Sequence, residues 1–294
     1  MSSISAPEKG TQQRIFPKGR VQKATGFKLF WRTAVARAYP RVIGSMRERS
    51  WMFFETVLPL MSTASFVYVY RALNAPPDYI GFVVLGGAMT AFWLNVLWTM
   101  ASQLYWDKNG GNLELYVICP GPMMAILLGM AVGGLVMSAT RAFVIIVICS
   151  ILFGVAFSTA QIPLLIVVFL LALAALYGMG MMFASVFLAA GREAWHMSNL
   201  LQEPIYLVSG FYFPVKAMGF WVAAAASIIP LTLGMDAMRQ LLFPDGENTG
   251  FLSVGVEIGI LVVLTIFFVG AAKFMLDKLE EIGRREGRLI ERRR

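Results

Sequence analysis

Four ionisable side chains fall inside stretches of the chain that are otherwise apolar: Glu55, Arg141, Glu203 and Glu257. Charge in lipid is costly, so such groups pair across helices, reach the interface, or line a path through the membrane. Glu55 stands about one helical turn from Trp51, close enough to the interface to reach water. Arg141 lies deeper and needs a partner, and Glu203 and Glu257 are the acids available to it. The set is open to two readings, a structural clamp between helices or a translocation path or gate. As a path it would suit a stand-alone ion-coupled carrier or channel that uses Arg141 and the membrane-embedded acids. An aromatic group, Tyr206, Phe211, Tyr212, Phe213, Phe220 and Trp221, accompanies these charges. It reads as an interfacial aromatic belt, or as a stacking surface for sugars or amphiphiles, with Tyr206, Phe211 and Tyr212 joining the candidate path.

Residues for enzyme chemistry are missing or misplaced. His196 is the single histidine, which removes most catalytic triads and histidine metal sites. No GxxxxGK[ST] loop is present, so ATP hydrolysis by the usual phosphate-binding loop is excluded for this chain. No membrane helix carries paired carboxylates at i,i+4. Cys119 and Cys149 lie on separate segments with no paired spacing, so neither a disulfide framework nor a metal site is expected. The expectation is a chain with no catalytic residue, no metal and no cofactor of its own.

The elements that must position these residues follow from where charge is absent. Hydrophobic residues make up 58% of the 294 and charged residues 14%, against about a quarter charged in a soluble domain. Eleven Lys and Arg lie between Lys9 and Arg49, and eight more between Lys273 and Arg294. These clusters flank the outermost apolar segments as the positive-inside rule expects, so the +8 net charge points to cytoplasmic termini rather than to nucleic acid. Basic ends on the same side require an even number of crossings. An apolar helix of about 20 residues spans the hydrocarbon core, and six spans are read at about 51–71, 80–103, 123–157, 162–189, 199–214 and 251–272. The third is too long for a simple span and lacks a turn to divide it, so it reads as one long or tilted helix.

Between Pro214 and Asp245 an apolar segment is broken at Pro214, Gly219, Pro230, Gly234 and Pro244. Its pieces are too short to cross, and irregular backbone at membrane depth needs shelter. Two short re-entrant outer helices are expected near 217–228 and 231–242. Residues 1–26 form a polar cytoplasmic segment with no apolar core, so no cleavable signal is expected. Residues 27–50 hold an interfacial helix and a linker. Phe27, Phe30, Trp31, Ala34 and Ala38 share one face, with Lys28, Arg32 and Arg37 at its flanks, and Pro40 is read as its end. Residues 51–272 form the transmembrane domain and 273–294 a charged cytoplasmic tail, helical if Glu280/Arg284 and Glu281/Arg285 pair. Gly129-xxx-Gly133 and Gly255-xxx-Gly259 allow close helix approach, by ordinary packing or at a subunit interface.

Two stretches carry a resemblance. Gly110-Gly111-Asn112-Leu113-Glu114-Leu115-Tyr116, leading to Pro120 and Leu127-Leu128-Gly129, resembles the cytoplasmic segment after span 2 in membrane subunits of ABC exporters of the type-2 permease superfamily. That segment commonly reads GTLE before a proline, and Asn112 stands here in place of the usual Thr. Ser209-Gly210-Phe211-Tyr212-Phe213-Pro214, then Ile229-Pro230-Leu231-Thr232 and Met238-Arg239, is similar to the family's SG, aromatic run and P, followed by PLT and a later R. With the N-terminal helix and six spans, the resemblance covers nearly the whole chain.

It implies an all-α integral membrane permease in a bacterial cytoplasmic (inner) membrane, exporting drugs, lipids or polysaccharides. Its partners would be an ABC ATPase in two copies, holding ATP and Mg, and a second permease, identical or a paralogue. The lean is towards a lipophilic small molecule or lipid, since Met130, Met137, Met179, Met181 and Met182 offer soft contacts. In such exporters the interfacial helix (here Phe27, Phe30, Trp31, Arg32) and the loop after span 2 (here Trp106, Asp107, Lys108, Asn112, Leu113, Glu114) would contact the ATPase.

Overall fold

A computed structural model describes residues 26–118, 121–244 and 250–286, and every regular element among them is helical. Residues 1–25, Cys119, Pro120, Asp245 and the tail from 287 lie outside that description, as do the side chains of Glu114, Arg192, Glu280, Arg284 and Arg285. The chain is an all-α integral membrane protein.

Helix α1 (Gly26–Arg47) is followed by α2 (Arg49–Ala72). Pro76 and Pro77 open α3 (Pro77–Leu94), where a missing N–H costs nothing because the first-turn donors have no intrahelical acceptor. A π-helical segment (Asn95–Ala101) continues α3 into α4 (Gln103–Gly110). Gly111 then turns the chain at φ 80° into α5 (Asn112–Ile118). The long apolar run that follows is one helix, α6 (Met123–Phe153), entered from Pro122 and closed by left-handed Gly154. After it come α7 (Ile162–Ala190), α8 (Ala194–Val208), the short α9 (Phe220–Ala226), α10 (Pro230–Leu242) and α11 (Val254–Glu286).

Five of these units are long and apolar enough to cross a membrane: Arg49–Ala72, Pro77–Gly110, Met123–Phe153, Ile162–Ala190 and Val254–Leu279. Helices α9 and α10, bent by 112°, make a sixth if counted as one broken span. The segment expected to cross at 199–214 is α8, whose 15 residues reach about 22 Å at 1.5 Å per residue, short of a core of about 30 Å.

Two further expectations are corrected. Pro40 does not end the interfacial helix, because α1 runs through it to Arg47. Pro40 is exposed, so the carbonyl it leaves unpaired has room to be solvated. The stretch 106–114 is a helical extension of the second span, a glycine turn and the start of α5, not a loop.

Helix α3 is the axis of the bundle, buried from Gly81 to Trp93 among α2, α6 and α10, with Phe92 edge-on to Phe169 of α7. Gly86 lets the Phe211 backbone approach it, since a Cβ there would collide with the Phe211 carbonyl and crowd the Arg239 guanidinium. Helix α1 lies along the first turns of α6. A Cβ at Gly129 would stand 2.8 Å from Arg37 Cβ, and one at Gly133 3.1 Å from Arg41 Cβ. The first small-residue pair therefore seats α1, whereas a Cβ at Gly255 or Gly259 meets no atom within 4 Å. The methionines Met130, Met137, Met179 and Met181 are buried in the bundle. Helices α2 and α11 turn Phe53, Leu58, Val263 and Ile266 outward, as lipid-facing surfaces do.

Candidate functional site

The residues expected to meet a partner divide into a buried hub and an exposed rim. Asp107 is 4% exposed. It accepts hydrogen bonds from Arg37 Nη2 at 3.1 Å, Gln103 Nε2 at 3.0 Å and Tyr116 OH at 3.0 Å. Arg37 also stacks over the Tyr116 ring at 5.3 Å. One carboxylate thus joins α1, α4 and α5. Burial and then the neighbouring Asp107 charge push the Tyr116 phenol above its ordinary range, so it remains a donor. The Gly110-Gly111 sequence makes this possible. The left-handed turn at Gly111, which favours glycine, folds α5 back so that Tyr116 reaches a residue nine positions earlier.

Asp107 and Leu113 are therefore anchors beneath the surface, a correction to reading them as docking groups; Leu113 is 2% exposed. The rim consists of Trp106, Asn112 and Leu115, all exposed, with Lys108 partly so. On α1, Phe27, Trp31 and Arg32 are exposed and Phe30 is half-buried. The face that packs inward carries Thr33, Ala34, Arg37 and Arg41. Arg37 belongs to that face, not to a solvated flank. Sequence reasoning missed Gln103, Tyr116 and Arg41, although Arg37 and Arg41 at i,i+4 on one side of a helix were a usable signal.

The π-helical segment sits beside this hub. Arg41 donates from Nη2 to the Thr99 carbonyl at 2.8 Å and from Nη1 to Gln103 Oε1 at 3.4 Å. Asn95 Oδ1 accepts from Tyr177 OH on α7 at 3.2 Å. Trp98 Nε1 donates to Gln202 Oε1 on α8 at 2.5 Å, and Ser102 and Ser198 hydroxyls meet at 3.1 Å. Wide helical turns free backbone groups and reorient side chains, and here they direct polar contacts to three neighbouring helices.

Arg141 is 5% exposed and pairs with Glu55 through Nη1, with Ser138 Oγ at 3.4 Å from Nη2. Its partner is thus neither Glu203 nor Glu257. Glu203 is exposed on α8 and accepts from Gln202 Nε2 at 3.0 Å. Glu257 is wholly buried near the start of α11, where Gln240 Nε2 reaches Glu257 Oε2 at 3.3 Å, Asp236 Oδ2 at 3.2 Å and the Leu252 carbonyl at 2.8 Å. Glu55 wins because α2 packs on α6 and places its second turn opposite Arg141. Arg141→Met is expected to lower the melting midpoint in detergent, leaving Glu55 without its cation at a cost of about 1–3 kcal/mol. Adding Glu55→Leu restores most of that loss, because an apolar pair replaces an ion pair at little cost. A double variant as unstable as Arg141→Met alone would show that the pairing is not what matters.

On the other side of the bundle the two halves of the second sequence motif meet. Arg239 is 2% exposed. It donates from Nη1 to the Gly210 carbonyl at 2.6 Å, and from Nη2 to the Phe82 and Phe211 carbonyls, each at 3.0 Å. Phe211 is buried edge-on against Tyr206 at 5.2 Å. Tyr212 stacks on Phe66 at 4.0 Å, and its hydroxyl lies 3.2 Å from Ser62 Oγ. These aromatics pack between helices, whereas Phe220 and Trp221 face outward.

A family model for ABC-2 type transporters matches residues 28–243, from the first turn of α1 through the end of α10. No curated protein matches the chain. The family match spans the Asp107 hub, the π-helical segment and the Arg239 contacts together, and the chain belongs to the ABC-2 type transporter family as its membrane-spanning permease component.

Proposed function

We propose that this chain is the permease subunit of an ATP-driven exporter that moves a lipophilic or amphiphilic substrate (a drug, a lipid, or a glycolipid or polysaccharide) outward. The setting is a bacterial cytoplasmic membrane, with both termini cytoplasmic. A separate ATPase subunit supplies ATP and Mg, and the working complex holds two ATPases and two permeases, the second an identical copy or a paralogue.

The observation that supports this reading is the three-helix junction at Asp107. A force applied to the exposed rim at Trp106, Asn112 and Leu115 meets a buried, hydrogen-bonded joint instead of a slack loop. It passes through Arg37 to α1, and through Arg41 and the Thr99 carbonyl to the π-helical segment at the heart of the bundle. Closure of the ATPase pair biases the membrane domain only if its states make different contacts, and this joint touches both the docking rim and the spans.

The test is a reconstituted complex. Trp106→Ala with Leu115→Ala is expected to reduce substrate-stimulated ATP hydrolysis severalfold while insertion and melting stay unchanged. A tagged chain that never brings down an ATPase, with transport that persists without ATP, overturns the reading.

A further inference from the structure

Between the α1–α2 elbow, the π-helical segment and α6 lies a cavity of about 50 Å³. Its walls carry Arg41, Arg141, Glu55, Asn95, Thr99 and Ser45. The two guanidinium groups face a single carboxylate, which leaves one positive charge in excess. Both cations have capacity to spare. Arg141 is 5% exposed, yet its buried Nε has no hydrogen-bond partner. Arg41 spends one strong bond on a backbone carbonyl and a longer one on an amide. Burial and then the nearby Arg37 hold its guanidinium below the ordinary value, the mark of a desolvated cation short of negative charge.

The position of the cavity selects its occupant. Asn95 lies about 27 Å along the helix from Pro77 and Thr99 about 33 Å, at 1.5 Å per residue. That places the cavity at the edge of a hydrocarbon core of about 30 Å, on the side where α1 lies. Its volume is several times the roughly 10–15 Å³ that one water needs, which accommodates a compact anion and excludes a sugar. Trp51 and Met52 add apolar walls, and Trp51 is 61% exposed, which gives an alkyl chain a surface to lie on. A fixed guanidinium fork suits phosphate or carboxylate.

We infer that this cavity binds the anionic head group, phosphate or carboxylate, of a single-chain or lipid-like amphiphile, with its tail leaving past Trp51 along α2. That such an amphiphile is the exported substrate rests on the exporter reading. Occupancy of the cavity does not, and the measurement is therefore made on the full-length permease alone in neutral detergent. The probe is dodecyl phosphate, with inorganic phosphate and dodecyltrimethylammonium as comparisons, and binding is read by native mass spectrometry and by the shift in melting midpoint.

Dodecyl phosphate is expected to bind, inorganic phosphate much more weakly, and the cationic amphiphile not at all. Arg41→Gln is expected to weaken dodecyl phosphate about tenfold, as loss of a charge-assisted contact does. Glu55→Gln is expected to tighten it severalfold, because the competing carboxylate is gone, an effect that a merely structural role does not produce. Equal affinity in wild type, Glu55→Gln and Arg41→Gln overturns the site and assigns the binding to the basic termini. Inorganic phosphate binding as tightly as dodecyl phosphate overturns the amphiphile assignment. If Arg41→Gln does not fold, the sign of the Glu55→Gln change still decides.

Discussion

Replacing Asp107 by alanine is expected to abolish substrate-stimulated ATP hydrolysis in the reconstituted complex and to lower the melting midpoint of the permease. The carboxylate accepts from Arg37, Gln103 and Tyr116, so its loss orphans a cation, an amide and a phenol at once. Breaking such a pair from one side costs about 3–5 kcal/mol where the remaining charge is buried. Arg37 is 27% exposed at its side chain, which lets water reach the orphaned cation and places the cost towards the lower end. The consequence for coupling is larger than that for stability. Without Asp107 only the 3.4 Å Arg41–Gln103 bond and the Arg37–Tyr116 stack join α1 to α4 and α5, too little to carry movement of the rim to the bundle. Asp107→Asn keeps an acceptor for Tyr116 but loses the charge for Arg37, and is expected to fall between wild type and Asp107→Ala in both readouts. A variant that melts early but couples normally would separate the hub from transmission and overturn its assigned role.

Arg239→Met is expected to cost as much, and to fail in folding rather than in coupling. Three carbonyls, from Phe82, Gly210 and Phe211, depend on one guanidinium in a site closed to water. Gly210, at φ 72°, turns the chain just past the end of α8, and the guanidinium also compensates the negative end of that helix dipole. Each charge-assisted bond is worth about 1.5–3 kcal/mol, and carbonyls left bare in the bundle add a desolvation cost. Arg239→Lys keeps the charge but offers a single point in place of a fork, so it is expected to restore only part of the folded yield. Protease sensitivity at 209–219, measured with the melting midpoint, checks this. An Arg239→Met permease that melts like wild type would show that water or neighbouring groups satisfy these carbonyls.

Much of the architecture could be read from punctuation. Basic ends with apolar runs mark the spans, and prolines and glycines mark the breaks between Pro214 and Pro244, whereas the third helix closes at Gly154, short of the expected 157. The errors have physical causes. Pro40 terminates a helix only where its unpaired carbonyl has no other partner, and on the exposed side of α1 solvent provides one. Asp107 and Lys108 read as loop because polar residues in a span are costly, yet a helix that continues past the lipid bears them freely. Glu55 reads as interfacial from its sequence neighbours, because nothing in the local pattern shows that α6 will bring Arg141, 86 positions away, to its side. Within the site, Trp106, Lys108 and Asn112 and the helix that carries Phe27, Trp31 and Arg32 were legible as positions, from residue types and from the resemblance. The hub was not, because its three donors come from three helices. The π-helical segment was invisible, since one extra residue in a turn leaves no trace in composition or apolar period.

That extra residue has a geometric consequence. A π turn holds one residue more than the α lattice takes up, so residues 103–110 are offset in angle from the continuation of 77–94. One residue of an α-helix corresponds to about 100° of rotation and 1.5 Å of rise. If the segment closed to α geometry, Asp107 would swing about a quarter-turn around the helix axis, and Trp106 would turn with it. The Arg41 bond to the Thr99 carbonyl lies inside the segment, where it holds this angular phase. α1 is therefore placed to resist rotation of α4 as well as to brace it, and the Arg41 bond shares that load with the Tyr177–Asn95, Trp98–Gln202 and Ser102–Ser198 contacts to α7 and α8.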